Sequence, residues 1–263
     1  MLKRIVSKFI RKKIFYRFWR KLNDISLYGM NMGPASGYTH YSGEDWIISF
    51  VKSRIASTRP VIIDVGANVG DYASAVIDSF GRKNITVFCI EPSPATFQIL
   101  SKKLPEDGNI RLYNMGFSDK AGTAKLYSNG EGEGAASMFS KHFHIGANAA
   151  HIEEVALTTL DEFCQAHDIE KIHFLKMDVE GNELNILNGA TRMIGTGSID
   201  FIQFEFAFPN IAAGVFFRDI FIRLEKNYTI YRSLIDGIIK VDTYDYKDEI
   251  FTTQNFLAIS KEL

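Results

Sequence analysis

From residue 61 onward, short apolar runs alternate along the chain with segments whose apolar residues recur at helical spacing. The runs are nearly continuous and rich in Ile and Val, which is typical of parallel strands covered by helices on both faces. The predicted strands cover residues 61–65, 85–90, 110–114, 123–128, 155–159, 173–177, 201–206, 228–232 and 255–260. The predicted helices cover residues 46–56, 72–80, 94–103, 160–167, 182–188 and 218–226. This alternation predicts an α/β fold with a doubly wound, Rossmann-like sheet.

The N-terminal segment differs from the rest of the chain in charge. Residues 1–23 contain nine Lys and Arg and no acidic residue, whereas the other 240 residues carry 21 basic and 31 acidic side chains. Apolar residues alternate with these cations, which predicts a basic amphipathic helix over residues 1–24. A connector and a helix are expected over 25–60, and the main domain over 61–263. Within that domain, the glycine-rich stretch 129–150 fits no regular element and predicts a mobile loop.

The sequence does not decide what the basic N-terminal segment (the basic arm, residues 1–24) contacts. It could pack on the acidic body or on another protein, or residues 1–22 could lie on an anionic membrane surface, where cations and a Trp are favoured. Nucleic acid is disfavoured because the acidic body would repel phosphates. The sequence leaves the oligomeric state undecided.

Composition and cysteine usage suggest the compartment. The chain is 46% hydrophobic and 23% charged, as expected of an ordinary globular protein. It contains neither a run of 18 apolar residues nor a signal-peptide pattern. Cys89 and Cys164 both lie in apolar contexts and are expected to be reduced and buried. These features predict a cytoplasmic protein, with contact at the inner face of the membrane as an alternative.

A glycine-containing loop follows the first predicted strand. The sequence DVGANVG (residues 64–70) lies where a strand gives way to a helix, which is where such sheets bind ligands. In the dinucleotide pattern Gly-x-Gly-x-x-Gly, Asn68 and Asp71 replace the second and third glycines. The acid at Asp71 would also repel a pyrophosphate. The loop therefore favours a nucleoside cofactor without phosphates.

S-adenosylmethionine has groups that suit these residues. Its ammonium needs an acid, such as Asp64, and its carboxylate needs backbone N–H groups at a helix start. Its ribose needs an acceptor for two hydroxyls, and Glu91 ends the next strand 21 residues after Gly70. The alternative is a tight turn beside a solvated Glu91. The predicted cofactor-binding residues of these two loops are Asp64, Gly66, Ala67, Asn68, Gly70, Glu91, Pro92 and Ser93.

A second acidic cluster follows the strand predicted over 173–177. Asp178 and Glu180 share one side of an extended segment, and Glu205 near the end of the next strand could converge on them. Methyl transfer to a hydroxyl needs alignment and removal of the hydroxyl proton by a base. Two close carboxylates would raise the pKa of one toward the range of a base, or could hold a divalent cation. Alternatively, Asp178 only contacts the cofactor and Glu180 caps the next helix. His40 is a lesser catalytic candidate that could fold over the pocket.

Five segments carry a resemblance to a known family: VIIDVGANVGDY (61–72), FCIEPSPATFQIL (88–100), NMGFSDKAGTAKLY (114–127), LTTLDEF (157–163) and FLKMDVEGNELNILNGA (174–190). In these the chain resembles the FkbM-type family of class I S-adenosylmethionine-dependent methyltransferases. The resemblance implies a seven-stranded sheet whose last strand is antiparallel. It also implies that adenine lies near Gly116, Phe117 and Ser118, and that hydroxyl groups of glycan sugars or secondary metabolites are methylated.

These observations together predict an S-adenosylmethionine-dependent O-methyltransferase whose acceptor is a glycan sugar or a small metabolite. No metal site is predicted from the histidines, and a divalent cation at the acidic cluster is the minor alternative. Two other functions compete with this prediction. One is a nucleotide-dependent oxidoreductase, which the glycine spacing disfavours. The other is a non-catalytic scaffold with a vestigial cofactor pocket, which the acids and glycines above disfavour.

Overall fold

The computed structural model describes residues 10–33, 42–128, 136–139 and 151–263. The strands are β1 (Val61–Val65), β2 (Thr86–Ile90), β3 (Ile110–Tyr113), β4 (Gly116–Phe117), β5 (Gly122–Ser128), β6 (His151–Thr158), β7 (Ile172–Met177), β8 (Ile199–Phe206), β9 (Tyr228–Ser233), β10 (Ile238–Lys240) and β11 (Gln254–Ser260). The α-helices are α1 (Tyr16–Gly29), α2 (Glu44–Arg54), α3 (Asp71–Phe80), α4 (Pro94–Lys103), α5 (Leu160–Ala166), α6 (Glu183–Asn188), α7 (Thr191–Gly195), α8 (Pro209–Ala213) and α9 (Phe217–Leu224). Short 3-10 helices cover Lys13–Phe15, Arg82–Asn84 and Tyr246–Asp248.

Eight strands form one sheet in the order β10-β9-β11-β8-β7-β1-β2-β3. Strands β3, β2, β1, β7 and β8 are parallel, and the last strand, β11, runs antiparallel to β8 and β9. After β1 the chain first adds β2 and β3 on one side and later β7 and β8 on the other. The strand order therefore switches between β1 and β7, which opens a cleft at their carboxyl ends. The predicted α/β class, with its last strand antiparallel, is confirmed.

The sheet contains one strand more than the seven implied by the resemblance. The additional strand, β10, pairs with β9 at the edge of the sheet, after a turn in which Leu234 N–H donates to the carbonyl of Gly237 at 2.8 Å. Ile239 and Lys240 are exposed. The Asp236-Gly237 pair between two apolar runs is a hairpin signal that the strand prediction did not use.

Each face of the sheet packs against its own set of helices. Phe174 of β7 packs in the cluster formed with α2, α3 and α4, and its neighbour Leu175 packs in the cluster formed with α5, α6, α7 and α9. Successive residues of a strand point to opposite faces, so both must be apolar when both faces are covered. This explains the nearly continuous apolar runs, and it fixes the strands whose ends form the site.

A small second sheet lies beside the cleft. Strand β6 pairs in parallel with β4 and in antiparallel register with β5. Of the stretch predicted as a mobile loop, residues 136–139 are described, and Ser137 exchanges two backbone hydrogen bonds with Tyr127 of β5, at 2.9 and 3.0 Å. These residues therefore form an extra rung beside the small sheet. The mobility of the loop stays a prediction.

The N-terminal helix ends later than the sequence pattern suggested. Helix α1 runs to Gly29, so the boundary predicted at residue 24 lies within it. No proline interrupts residues 25–29, and the helix stops where Asn31 adopts a left-handed backbone with φ 58°. A 3-10 helix over Lys13–Phe15 precedes α1. The part of the predicted helix over residues 1–9 lies outside the described residues.

Candidate active site

The loop after β1 is folded tightly against the neighbouring strands. The backbone N–H groups of Gly66 and Ala67 both donate to the carbonyl of Ile90, at 2.9 and 3.0 Å. Gly66 has φ 80°, and a Cβ atom added there would lie 1.9 Å from the carbonyl oxygen of Asp178. Gly70, with φ 86°, then leads into α3. Only glycine fits at Gly66, because any side chain would overlap the backbone that follows β7.

Glu91 connects this loop to the end of β2. Its carboxylate accepts hydrogen bonds from the backbone N–H groups of Asn68 and Ser93, both at 2.9 Å. Burial raises the pKa of Glu91 to about 7, although these two hydrogen bonds oppose the shift. Ser93 in turn caps α4 by accepting a hydrogen bond from the Thr96 N–H at 3.3 Å. Glu91 thus lines the cleft as a buried carboxylate that titrates near neutral pH.

The carboxylate of Asp64, near the end of β1, is buried without compensating hydrogen bonds from the described residues. Its side chain is buried, and no donor among the described residues reaches either carboxylate oxygen. Burial raises the pKa of Asp64 to about 6, and the positive charge of Lys176 opposes that shift. The side-chain oxygen of Asn68 is also buried and has no hydrogen-bond partner among those residues. Unpaired buried acceptors are rare in folded proteins, so this side of the cleft fits a ligand that donates hydrogen bonds.

The turn after β7 closes the opposite side of the cleft. Glu180 and Gly181 both have left-handed backbones, with φ 53° and 102°. Glu183, at the start of α6, accepts hydrogen bonds from the N–H groups of Val179 and Gly181, both at 3.3 Å, and from the side chain of Asn210 at 3.2 Å. Burial raises the pKa of Glu183 to about 7. Glu183 therefore holds the strained turn that carries Asp178 and Glu180.

Lys176 supplies positive charge to the acidic cluster. Among the buried side chains of the described residues, Lys176 is the only basic one. Its Nζ atom lies 3.0 Å from Asp178 Oδ2 and 4.6 Å from the ring centre of Tyr72. Burial lowers the pKa of Lys176, but the carboxylates of Asp178, Asp64 and Glu44 outweigh burial and raise it. Lys176 therefore stays protonated and orients Asp178.

A chain of hydrogen bonds links the N-terminal part of the fold to this cluster. The Tyr72 hydroxyl donates to Gln203 Oε1 at 2.7 Å, and Gln203 Nε2 donates to Glu44 Oε1 at 3.1 Å. Glu205, two residues further along β8, is half-buried. Burial and the nearby charges of Asp178 and Glu180 raise the pKa of Glu205 well above its ordinary value. Glu205 is therefore a carboxylate that holds a proton at higher pH than a solvated glutamate does.

The loops enclose a cleft that is partly open to solvent. The predicted site residues that line it are Gly66, Asn68, Glu91, Pro92, Gly116, Phe117, Asp178 and Glu180. Those that do not line it are Asp64, Ala67, Gly70, Ser93, Ser118 and Glu205. Asp64 is buried beside the cleft, and the N–H group of Ser118 pairs with the Thr158 carbonyl at 2.9 Å. His40 lies outside the described residues.

Several lining residues had not been singled out from the sequence. They are Val65, Thr96, Leu126, Ala136, Met138, Val179 and Asn182. Asn182 and the supporting Glu183 lie in the segment KMDVEGNE, but their roles depend on a left-handed turn that the sequence pattern does not indicate. Asn182 Nδ2 donates to the carbonyl of Phe117 at 2.8 Å, which ties the turn after β7 to β4. Met138 lies in the segment that follows β5 and lines the cleft. No pattern in the neighbouring residues predicts this contact.

Within the described residues, no group of three or more His, Cys, Asp or Glu side chains could hold a metal ion. The divalent cation considered from the sequence therefore gains no support and stays a prediction. In the same part of the chain, no helix is long and apolar enough to cross a bilayer.

Comparison with known proteins gives a family. A family model described as the methyltransferase FkbM domain matches residues 64–231, which is more than half of the chain. The chain therefore belongs to the methyltransferase FkbM domain family, and it is a methyltransferase. The matched range begins at Asp64 and contains the loops described above.

Individual relatives are more distant. The 2-O-methyltransferase NoeI of Sinorhizobium fredii is 27% identical over 177 residues, covering 60% of this chain and 71% of the relative. The hexuronic acid methyltransferase AglP of Haloferax volcanii is 28% identical over 172 residues, covering 63% of this chain and 61% of the relative. A crystal structure of a methyltransferase FkbM from Methylobacillus flagellatus is 16% identical with a TM-score of 0.46, covering 89% of this chain and 59% of that one. The chain thus spans less than two thirds of the last two proteins.

The contact between Gly66 and the turn after β7 gives a stability test. Gly66→Ala should lower the free energy of unfolding by about 2 kcal/mol or more, because Ala is disfavoured at positive φ and its Cβ would overlap Asp178. Gly108→Ala is the matched control, since a Cβ there meets nothing within 4 Å, and it should change stability by less than about 0.5 kcal/mol. Urea unfolding of both variants measures the difference. Equal stabilities would contradict the close packing of the two loops.

Proposed function

We propose that the protein is an S-adenosylmethionine-dependent O-methyltransferase that methylates a hydroxyl of a sugar or a small metabolite. The names of two relatives, a 2-O-methyltransferase and a hexuronic acid methyltransferase, support this acceptor class. The observation that carries the cofactor proposal is the buried carboxylate of Asp64, which has no hydrogen-bond donor among the described residues. A ligand with an ammonium group would satisfy it, and a diphosphate would not.

The cleft, together with the buried Asp64 beside it, offers a partner for each part of the proposed cofactor. Asp64 would accept hydrogen bonds from the ammonium, and the backbone around Gly66 and Asn68 would face the carboxylate of the amino acid. Glu91 would accept the two ribose hydroxyls, and Gly116 and Phe117 would contact the adenine. S-adenosylmethionine, when bound, supplies an activated methyl group on a sulfonium. The protein must then place the acceptor oxygen in line with that methyl and take up the hydroxyl proton.

We infer that Glu205 is the base. It lies at the carboxyl end of β8, outside the lining of the cofactor cleft, so the acceptor would have to extend beyond that cleft to reach it. The charges of Asp178 and Glu180 help to raise its pKa. Such a carboxylate accepts a proton more readily than a solvated one. Lys176 holds Asp178 through a 3.0 Å ion pair, so Asp178 would position the cofactor or the acceptor, and Glu180 would contact the acceptor. The catalytic role predicted for His40 stays a prediction.

Calorimetric titration separates the proposal from its two rivals. S-adenosylmethionine and its demethylated product should bind, and NAD should not. Binding of NAD alone would favour an oxidoreductase, and binding of none of the three would favour a scaffold. Transfer of a labelled methyl group into an extract of glycans and metabolites should then identify the acceptor fraction.

The partner assigned to Asp64 can be tested by substitution. Asp64→Asn should weaken binding of S-adenosylmethionine by about tenfold or more, because a hydrogen bond from a charged donor to a buried carboxylate is lost. The matched control is Asp71→Asn at the start of α3, where the carboxylate is 71% exposed and pairs with Lys103. This control should change the Kd by less than about twofold. A similar loss in both variants would remove Asp64 from the site.

Cofactor affinity should depend on pH through Glu91. Its pKa of about 7 is raised, so it loses its proton as the pH rises through neutrality and only then accepts both ribose hydroxyls. The Kd should therefore fall by about tenfold from pH 6 to pH 7.5, with a smaller contribution from Asp64. Glu91→Gln should bind more weakly at both pH values and show a flatter profile by calorimetry. A wild-type Kd that is constant over this range would contradict the assignment.

The base has its own kinetic signature. Glu205→Gln should lower kcat for labelled methyl transfer by about 10²- to 10⁴-fold while leaving the Kd of the cofactor unchanged. Glu205→Asp keeps a carboxylate and should recover part of the rate. If Glu180→Gln or Asp178→Asn abolishes transfer while Glu205→Gln leaves kcat intact, the base is one of those two residues instead.

A further inference from the structure

Helix α1 is exposed on all sides. None of its side chains is buried, and Leu27 is the one residue of the helix that is half-buried. Phe18, Leu22 and Ile25 expose 57%, 44% and 66% of their surface. Every other α-helix of the described chain contributes buried residues to the fold. Helix α1 is therefore a surface element whose large apolar groups have no cover in the described protein.

These apolar groups share one side of the helix. Phe18, Leu22 and Ile25 are four and three residues apart, which places them on one face. Trp19 lies at the edge of this face, in edge-to-face contact with Phe18 at 5.0 Å, and its Nε1 atom donates to the carbonyl of Ile10 at 2.8 Å. The rest of the helix surface carries Arg17, Arg20 and Lys21, with Asp24 as its one acid. A cationic helix with an apolar face and a Trp has the composition of helices that lie in the interface of an anionic membrane.

The residues that follow the C-terminal end of α1 are attached to the body of the protein by hydrogen bonds. The Asn31 side chain donates to the carbonyls of Ser42 and Ser233 at 2.9 and 3.2 Å. The Gly33 N–H donates to the carbonyl of Thr253 at 3.0 Å, and Met32 is buried. Ser233 ends β9, which runs parallel to β8, and Thr253 immediately precedes β11. Both therefore lie at the end of the sheet where β7 and β8 finish. The same end of the sheet carries Asp178 and Glu205.

We propose that α1 lies on an anionic lipid surface and that the acceptor is a sugar carried by a membrane lipid. The second half rests on the proposed function. The helix leaves the body at the end of the sheet that carries Asp178 and Glu205. Its insertion into a membrane would therefore bring that end toward the lipid headgroups. The cations favour an anionic bilayer, whereas the acidic body is repelled by it, so the arm is the part that makes contact. A second copy of the chain would bring the same positive charge to the helix, which disfavours self-association there.

Vesicle sedimentation of the full chain tests the first half. The protein should sediment with vesicles of phosphatidylcholine and phosphatidylglycerol and stay in solution with phosphatidylcholine alone. Phe18→Ser/Leu22→Ser should lower the fraction bound by about tenfold or more. The matched control is Ile222→Ser/Ile235→Ser, which removes two body side chains of similar exposure, 57% and 58%, and should bind normally.

The charge contribution is tested in the same assay. Arg17→Gln/Arg20→Gln/Lys21→Gln should lower the vesicle partition coefficient by about a hundredfold, since each cation near an anionic surface contributes about fivefold. Lys83→Gln/Lys102→Gln/Lys226→Gln removes three exposed cations of the body and should have little effect. Equal binding by both triple variants, or no binding of the wild type to anionic vesicles, would overturn the proposal. Binding to RNA or to a second copy in place of vesicles would overturn it equally.

Fluorescence locates the contact. The chain has two tryptophans, so Trp46→Phe leaves Trp19 as the reporter. Its emission should shift to shorter wavelength with anionic vesicles and be quenched by brominated lipids. An unchanged spectrum in sedimenting protein would mean that another surface binds, and would contradict the role of α1.

The acceptor class is tested by where the label goes. Labelled methyl transfer into a total lipid extract held in anionic vesicles should exceed transfer into the water-soluble extract, and Phe18→Ser/Leu22→Ser should remove most of that excess. Calorimetric binding of S-adenosylmethionine is measured in parallel. Label found in the water-soluble fraction alone would overturn the lipid-linked acceptor. Loss of cofactor binding in the wild type would instead refute the proposed function.

Discussion

The loop after β1 and the turn after β7 touch backbone to backbone, and the site depends on this contact. The Asp178 N–H donates to the carbonyl of Val65 at 3.0 Å, and a Cβ on Gly66 would lie 1.9 Å from the carbonyl oxygen of Asp178. Glu183 holds the other side of the turn through two backbone N–H groups. Since both loops are fixed, the carboxylates of Asp64 and Asp178 are held at the ends of adjacent parallel strands, where the strand order switches.

This arrangement gathers several carboxylates around one buried lysine. The pKa of the buried Lys176 is raised by the carboxylates of Asp64, Glu44 and Asp178. Burial in turn raises the pKa of both Asp64 and Glu44. A buried acid without a hydrogen-bond donor is unfavourable until a partner arrives. A ligand that brings positive charge relieves this imbalance, whereas a diphosphate would increase it. The same reasoning sets a cationic sulfonium nucleoside apart from a dinucleotide, and it agrees with the family to which the chain belongs.

The sequence predicted those parts of the site that a short segment determines by itself. Gly66 and Glu91 follow directly from a strand–loop–helix pattern, and the fold class follows from the alternation of strands and helices. Glu183 and Met138 could not be found in this way. Glu183 acts by accepting hydrogen bonds from a turn whose left-handed shape no propensity indicates, and Met138 reaches Gly116 from a segment beyond β5. The late end of α1 at Gly29 was missed because the helix buries none of its residues, and β10 was missed because the hairpin signal Asp236-Gly237 was not used.

We propose that the cleft between β1, β2 and β7 is built for a cationic nucleoside. The decisive experiment is a crystal structure of the full chain grown with S-adenosylmethionine. The amino group should lie within hydrogen-bonding distance of Asp64, and both ribose hydroxyls should bind Glu91, with the adenine beside Gly116 and Phe117. Density for the cofactor elsewhere, or a complex in which the Asp64 carboxylate still has no donor, would contradict it.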